Sequence, residues 1–280
     1  MKPQNKNNIK RIEKALKKEK IVVMVAPSFI TDFSYPSIIT QLKNLGFKKV
    51  VELTFGAKMV NREYHKILCK TNELLIASAC PGVVESVKKQ FPQYKNNIAK
   101  INSPMIATAK VCKKIYSGYK VCFISPCHMK KIEAQNSEFV DYVIDYQQLH
   151  YLFAKYLIPP SNHEQHFDKF YNDYTKIYPL SGGLSKTAHL MQVIKPGQEK
   201  VIDGWGNVAK FLKKPDKNIK FLDVTFCKGG CIGGPCTSKI SLRKKRKLLK
   251  HYLEIAKHEK IPQQDLGLIE KARGIEFINK

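Results

Sequence analysis

Short apolar runs alternate along the chain with segments in which apolar residues recur at helical spacing. The runs are typical of buried strands, and they lie at Ile21–Ala26, Phe47–Leu53, Leu74–Ser78, Tyr119–Ser125, Val140–Asp145 and Lys220–Phe226. The helical segments lie at Ser37–Leu45, Asn61–Thr71, Thr108–Tyr116, Gln147–Leu157, Ser185–Val193 and Val208–Leu212. Strands that alternate with helices predict parallel sheets covered by helices. We therefore predict an α/β fold, and the two β-α runs predict two lobes with one cleft between them.

The remaining segments differ from this alternation in composition. Residues 1–20 are polar and basic and predict an N-terminal helical arm, whereas residues 239–280 predict a basic helix followed by a tail. Residues 21–238 form the predicted two-lobed domain. Within it, residues 159–180 are polar and aromatic without a clear period, so we expect a long surface excursion there.

The composition excludes several classes of protein. The 280 residues are 43% hydrophobic and 26% charged, which is ordinary for a globular protein and excludes a disordered or fibrous chain. No apolar run approaches the roughly 20 residues of a membrane span, and no apolar signal core follows the basic N-terminus. We therefore expect a soluble, cytoplasmic protein without a membrane partner.

The chain is strongly basic. Its net charge of +26 comes from 49 Lys and Arg residues against 23 Asp and Glu residues. Such a charge favours a polyanionic partner, but the lysines are spread along the whole chain instead of forming one block. A coding sequence of low GC content, in which lysine codons are frequent, accounts for that even distribution. A nucleic-acid-binding protein with incidental cysteines is therefore only the third of our hypotheses.

Eight cysteines in a chain expected to be cytoplasmic favour metal or redox chemistry over disulfides. Three predicted strands run into Cys80, Cys127 and Cys227, and Cys231 follows closely. Because the carboxyl ends of strands in open α/β sheets face the ligand crevice, these four thiolates predict a cage for a cluster or a metal. Gly229 and Gly230 would let backbone amides approach cluster sulfurs.

Two other interpretations of these cysteines stay open at this point. Most free cysteines are small, buried, apolar residues. A zinc site is also conceivable, although structural zinc commonly has two close cysteine pairs and only Cys227 and Cys231 are close in sequence.

Three segments of the chain carry family signatures. Ser78-Ala79-Cys80-Pro81-Gly82 is similar to Thr-Ser-Cys-Cys-Pro-Gly-Trp, and Ser125 to Glu133 is similar to Met-Pro-Cys-x-x-Lys-x-x-Glu. Asp223 to Gly234 is similar to Glu-x-Met-x-Cys-x-x-Gly-Cys-x-x-Gly-Gly. Together they resemble, in order and over about residues 20–240, the catalytic domain of the iron-only ([FeFe]) hydrogenases.

The resemblance implies a fold and a cofactor. The fold is two α/β lobes with twisted, mostly parallel sheets flanked by helices, and the cofactor is the H-cluster in the interlobe cleft. This is a [4Fe-4S] cube joined to a two-iron unit that carries CO, cyanide and a dithiolate. The implied cube ligands are Cys80, Cys127, Cys227 and Cys231, of which Cys231 also bridges to the two-iron unit.

The resemblance also assigns roles around the two-iron unit. Lys130 stands where the family's lysine contacts a cyanide, an arrangement in which an ammonium faces an anionic ligand. Ser103 would lie near the dithiolate. Glu133 would brace Lys130 or cap the start of a helix.

The departures from the family concern proton transfer. Ala79 replaces the cysteine that passes protons to the two-iron unit, and the other relay positions align with Ala99, Tyr64 and Ile67. A proton relay needs groups that give and take protons at each step. We therefore expect hydrogen or redox sensing, or hydrogen oxidation and proton reduction at a low rate. Ala79 also resembles the divergent, sensory branch of the family.

Ser125 and Thr225 replace two methionines of the signatures, so we expect a two-iron pocket more polar than usual. Among the other cysteines, we expect Cys69, Cys112 and Cys122 to be structural. Cys236 is a candidate substitute ligand or redox-active thiol.

The partners follow from the same resemblance. The chain has no cysteine before Cys69 and therefore no ferredoxin-like segment, so a separate ferredoxin-like electron carrier or a signalling partner is expected. Basic residues within 1–20 and 239–250 are candidates for docking an acidic carrier. Insertion of the two-iron unit would require hydrogenase maturation factors. The alternative function is non-enzymatic, as an iron–sulfur electron-transfer or cluster-carrier protein.

Overall fold

Two parallel sheets form the framework of the fold. The computed structural model describes residues 3–161, 166–172, 174–190 and 193–279, with side chains from residue 7 onward. The first sheet has the order β2-β1-β4-β5, with strands β1 (Ile21–Val25), β2 (Lys49–Glu52), β4 (Lys120–Ser125) and β5 (Tyr142–Asp145). The second has the order β3-β7-β6, with strands β3 (Leu75–Ile76), β6 (Glu199–Asp203) and β7 (Phe221–Thr225). All neighbouring strands are parallel.

Helices connect and cover the strands. They are α1 (Pro3–Lys18), α2 (Ser37–Leu45), α3 (Thr54–Leu68), α4 (Pro81–Gln90), α5 (Pro104–Ile115), α6 (Met129–Gln135), α7 (Tyr146–Lys155), α8 (Gly183–Thr187), α9 (Trp205–Lys213) and α10 (Leu242–His258). Parallel sheets flanked by helices are the predicted architecture, and the α/β fold class is confirmed.

The burial of β1 shows why its apolar run forms a central strand. All five of its residues are buried, as expected for a parallel strand covered on both faces. Val22 and Met24 pack into one hydrophobic cluster, whereas Val23 and Val25 pack into another. The first cluster also contains Phe221 and other residues of the second sheet. A shared apolar layer therefore joins the two sheets.

Several predicted helices have other bounds in the structure. Helix α3 begins at Thr54 and not at Asn61. The earlier start was not predicted because Gly56 resembles a helix breaker, whereas in the structure it allows α3 to pack closely against α5. A Cβ at Gly56 would be 2.8 Å from the carbonyl oxygen of Pro104. Helix α5 begins at that proline and not at Thr108. Helix α8 is only Gly183–Thr187, shorter than predicted.

Helices α4 and α6 and strand β6 were not predicted from the sequence. Helix α4 begins at Pro81 directly after Cys80, where Pro-Gly resembled a turn; proline fits the first position of a helix because no intrahelical donor is needed there. Strand β6 is the edge strand of the second sheet and is partly exposed, so its residues do not form an apolar run.

The expectation of a surface excursion over residues 159–180 holds for the exposed Pro159 and Pro160 but is wrong for most of the described residues from Phe167 onward. Lys176 is fully buried, and its Nζ lies 2.6 Å from Glu52 Oε2 and 2.5 Å from the Tyr252 hydroxyl. Phe167 and Phe170 are buried as well. These anchors are irregularly spaced and contact distant elements, so no sequence period reveals them.

The two terminal segments pack on this body. Helix α1 buries Ile9, Ile12 and Ala15 and contacts α7 and β5. Helix α10 buries Leu249 and Tyr252. No helix among the described residues is long and apolar enough to cross a membrane.

Candidate metal centre

The four cysteines expected to form a cage follow strands of both sheets. Cys80 follows β3 and is the N-cap of α4, and Cys227 follows β7, which pairs with β3 in parallel. The carboxyl ends of these neighbouring strands therefore share one edge of the second sheet. Cys127 follows β4 in the first sheet, and Cys231 lies in the 3-10 turn Gly230–Gly233.

The structure brings these four thiols within electrostatic range of one another. The Cys231 thiol interacts with those of Cys80, Cys127 and Cys227, and the Cys227 thiol interacts with those of Cys127 and Cys80. Burial, followed by these neighbours, raises the pKa of Cys227 to about 12, and it raises the pKa of Cys231 further. Four thiolates are stable at this buried position only with a compensating positive charge, which the iron ions of a cluster or a bound metal ion would supply.

The spacing of the thiols distinguishes between a cluster and a single ion. Among the described residues, one set of three or more Cys, His, Asp or Glu ligand atoms lies within 4.8 Å of one another, and it includes none of these four cysteines. Sulfurs around a tetrahedral zinc would be about 3.8 Å apart, given Zn–S bonds of about 2.3 Å. In this structure no three of the four cage thiols therefore lie as close together as the sulfurs around one zinc ion.

Hydroxyl groups fix the backbone of two ligand loops. Ser125 Oγ accepts a hydrogen bond from the Cys127 N–H at 3.1 Å and donates to the Cys127 carbonyl oxygen at 2.8 Å. Thr225 Oγ1 donates to the Cys227 carbonyl oxygen at 3.3 Å. The hydroxyls that we expected to make the two-iron pocket more polar are therefore bonded to the ligand loops. A Ser or Thr two residues before each cysteine was the available signal.

Gly229 and Gly230 shape the loop between two ligands. Both have positive φ, +82° and +78°, and a Cβ on Gly230 would collide with the carbonyl oxygen of Pro179. The expectation that these glycines let backbone amides approach cluster sulfurs stays a prediction, and the amides of the two glycines themselves have protein partners. The Gly229 N–H donates to Asp203 Oδ2 at 2.8 Å, and the Gly230 N–H donates to the Cys227 carbonyl at 3.1 Å.

Lys130 and Glu133 form an ion pair beside the cage. Lys130 Nζ lies 2.6 Å from Glu133 Oε2 and donates to the Ala79 carbonyl oxygen at 3.4 Å. The lysine side chain is only 13% exposed, and its charge interacts with the thiols of Cys127 and Cys231. A little-hydrated ammonium in this position stabilises negative charge in the cage.

Ser103 is the N-cap of α5, where its hydroxyl accepts from the Ile106 N–H at 3.5 Å. It is 2% exposed. With Ser78 and Glu133 it lines a cavity of about 1270 Å³. The structure thus places Ser103 and Glu133 on one cavity, while no described hydrogen bond joins Ser103 to the cage.

The residues at the family's relay positions are structural. Tyr64 is fully buried and its oxygen accepts from the Ser78 N–H at 2.8 Å. Its hydroxyl donates to Ser78 Oγ at 3.1 Å, since Ser78 Oγ itself donates to the Ile101 carbonyl. Burial raises the pKa of Tyr64 to about 12. Ala99 and Ile67 have no titratable group, and Ala99 is buried.

Cys236 lies beside the cage and not within it. Its thiol interacts electrostatically with Cys127 and lies 3.4 Å from His128 Nδ1. Cys236, His128 and Asp145 are the one closely spaced set mentioned above. The Asp145 carboxylate is already paired, since Lys131 Nζ lies 2.5 Å from its Oδ2. Sequence reasoning missed this set because its members are distant in the chain.

The other three cysteines lie outside the cage. Cys112 and Cys122 are fully buried in the two hydrophobic clusters, and burial raises the pKa of each thiol. Cys69 is exposed at the end of α3.

Comparisons with known proteins agree with this arrangement. The chain is 25% identical over 299 residues to "Iron hydrogenase 1" of Clostridium pasteurianum, a match that covers 82% of this chain and 52% of the relative. The chain therefore spans about half the length of that curated protein.

The fold is also found in solved structures. One that reports stepwise [FeFe]-hydrogenase H-cluster assembly matches with a TM-score of 0.69 and 17% identity, over 95% of this chain and 94% of the other. A variant of the apo [FeFe]-hydrogenase of Chlamydomonas reinhardtii matches with a TM-score of 0.73 and 15% identity, with the same coverage. These likenesses show the fold.

The sequence model described as "Iron only hydrogenase large subunit, C-terminal domain" matches residues 19–235, which include all four cage cysteines. An iron–sulfur cofactor is what this family and the four thiols imply. The chain belongs to the family of the iron only hydrogenase large subunit, C-terminal domain.

Proposed function

We propose that this protein holds a [4Fe-4S] cluster on Cys80, Cys127, Cys227 and Cys231 and serves as a hydrogen or redox sensor of low turnover. The observation that carries this proposal is the set of four interacting, mostly buried thiols, three after strands of both sheets and one in the following 3-10 turn. The cluster would supply one-electron chemistry, and a two-iron unit bridged at Cys231 would add reactivity toward hydrogen.

Lys130 would stabilise the bound cofactor electrostatically. Its ammonium is close to two cage thiols and is held by Glu133 and the Ala79 carbonyl. This fixed charge favours anionic groups in the cage. Lys130 would therefore supply a fixed positive charge next to the cofactor, and Glu133 would keep the lysine in place.

The lack of groups at the relay positions that exchange protons at neutral pH favours sensing over fast turnover. Ala79, Ala99 and Ile67 cannot carry a proton, and the Tyr64 phenol, with its pKa near 12, does not exchange one readily at neutral pH. A sensor needs a redox change at the cluster and a partner that detects it, and not rapid proton delivery. Such a partner, or a ferredoxin-like electron carrier, is part of this proposal, as are maturation factors for any two-iron unit.

The compartment we propose is the cytoplasm. All eight cysteines are free thiols, which is the state that a reducing compartment maintains.

A second candidate function is electron transfer or cluster carriage without hydrogen chemistry. It is favoured by the partial exposure of all four cage cysteines, because cluster transfer requires access to the ligands. A cube without a two-iron unit, together with transfer to an acceptor protein, would favour this candidate.

The test compares Cys80→Ala with Cys69→Ala, which removes an exposed thiol outside the cage. Both variants and the unaltered chain are purified anaerobically from cells that express hydrogenase maturation factors. We expect Cys80→Ala to lose the cluster and Cys69→Ala to keep it. Unchanged iron and acid-labile sulfide in Cys80→Ala would overturn the cage.

A further inference from the structure

The hydroxyl of Tyr178 is buried and has no hydrogen-bond partner among the described residues. Its ring packs against the hydrophobic cluster that joins the two sheets. Buried polar groups are nearly always hydrogen-bonded, because an unpaired one loses its hydration without compensation. An unpaired buried hydroxyl therefore indicates a partner other than the described residues, such as a bound group.

Tyr178 lies directly against the loop that carries Cys231. The Cys231 N–H donates to the carbonyl oxygen of the next residue, Pro179, at 2.7 Å. Gly230 has no room for a side chain because a Cβ would collide with that same oxygen. The segment Tyr178-Pro179 and the turn at Cys231 are thus in close backbone contact.

The hydroxyl is close enough to Cys231 for the two groups to interact electrostatically. Burial raises the pKa of Tyr178 well above its ordinary value, and the neighbouring groups Tyr64, Asp223 and Cys231 add to the effect. The phenol is therefore neutral at physiological pH and keeps its proton as a hydrogen-bond donor.

Two titratable neighbours of Tyr178, Tyr64 and Asp223, already have hydrogen-bond partners. The Tyr64 hydroxyl bonds to the amide and hydroxyl of Ser78. Asp223 Oδ2 accepts from the Ser185 N–H at 3.1 Å. Neither has a described hydrogen bond to Tyr178, and the third titratable neighbour is the Cys231 thiol on the cage side.

We propose that the Tyr178 hydroxyl donates a hydrogen bond to a sulfur of the cluster at the Cys231 corner and so tunes the cluster's reduction potential. This inference rests on the proposed function. A donor to sulfur stabilises the extra electron of the reduced cluster, and therefore raises its reduction potential. Tyr178 is in this sense a positioning and tuning residue and not a catalytic one.

The experiment measures the reduction potential of the cluster in Tyr178→Phe by anaerobic redox titration. We expect the variant to hold as much iron as the unaltered protein and to have a more negative reduction potential. Without the cluster, we expect it to be at least as stable as the unaltered protein without the cluster. Stability should not fall, because the substitution removes an unsatisfied polar atom without removing the ring.

Two tyrosine variants serve as matched controls. Tyr116→Phe also removes a buried hydroxyl without a described partner, but Tyr116 ends α5 next to Cys112 and away from the cage. We expect its potential to be unchanged. Tyr64→Phe removes a hydroxyl bonded to Ser78, and we expect lower stability.

The outcomes separate this inference from the function on which it rests. An unaltered protein without iron overturns both. A normal iron content with the same potential in Tyr178→Phe and the unaltered protein overturns the inference alone. If Tyr178→Phe binds less iron than the unaltered protein, the redox titration is instead made on the unaltered sequence with 3-fluorotyrosine incorporated in place of tyrosine. The more acidic phenol is then expected to raise the potential, and an unchanged potential overturns the inference.

Discussion

Replacing Lys176 by Met tests the buried ion pair that anchors the segment before α8. The side chains of Lys176 and Glu52 are 0% and 2% exposed, with Nζ 2.6 Å from Oε2. Removing one member of a buried pair leaves an uncompensated charge and costs about 3–5 kcal/mol. The Tyr252 hydroxyl still donates to Glu52 Oε1 at 2.8 Å, so we expect about 3 kcal/mol, near the lower end of that range. At about 2 °C per kcal/mol for a chain of this size, the Tm falls by about 6 °C.

The assay is thermal unfolding of the anaerobic protein at matched iron content, over a range of pH. Burial raises the pKa of Glu52 above its ordinary value of 4.5, and loss of the ammonium raises it further. A carboxyl with a raised pKa in the folded state loses stability as the pH rises above its unfolded value. The deficit of Lys176→Met should therefore grow as the pH rises from 4.5.

The double variant Glu52→Gln/Lys176→Met is the matched control. It removes both charges, so it should recover more than half of the loss, in contrast to an additive pair of defects. A loss below about 1 kcal/mol in Lys176→Met, the range of an exposed pair, would refute this reasoning. So would a double variant no more stable than the single one.

Three further experiments test other parts of the account. Burial raises the pKa of Asp223 from 3.8 to about 6, so this carboxyl should lower stability by about 3 kcal/mol as the pH rises through that window. Asp223→Asn should remove this contribution and make the pH dependence of urea unfolding between pH 4 and 7 shallower than in the unaltered protein; an unchanged dependence would contradict the assignment. Ser125→Ala removes both hydrogen bonds to its ligand loop and should speed iron loss to a chelator by about tenfold, for about 1.4 kcal/mol. Thr225→Val removes one longer bond and should have a smaller effect; equal rates in both variants would argue against this role. Lys130→Gln should make the cluster potential more negative, because a cation beside the cage favours the reduced state. Lys131→Gln is the control, since that lysine pairs with a carboxylate outside the cage; equal potentials for Lys130→Gln and the unaltered protein would contradict the electrostatic role.

The α/β fold and the four cage cysteines could be predicted because both depend on local patterns. An apolar run that ends in a cysteine marks the carboxyl end of a strand, and parallel strands gather those ends at one edge. Cys80 and Cys227 illustrate this, as they follow the paired strands β3 and β7. The family signatures supplied the rest of the ligand assignment.

The features that escaped prediction depend on contacts between distant segments. Lys176 looks like one more surface lysine until the fold places it against Glu52 and Tyr252. The unpaired hydroxyl of Tyr178 is visible only when every neighbouring donor and acceptor has been placed. Helix α4 was missed for a local reason, because Pro81-Gly82 fits a turn as well as the first turn of a helix.

The measurement that tests the central claim most directly is the content of iron, acid-labile sulfide and zinc per chain after anaerobic purification. The cage of Cys80, Cys127, Cys227 and Cys231 predicts about four irons and four sulfides, or about six irons where a two-iron unit is also inserted. Near-zero iron after chemical reconstitution, or about one zinc and no sulfide, would contradict the iron–sulfur cage.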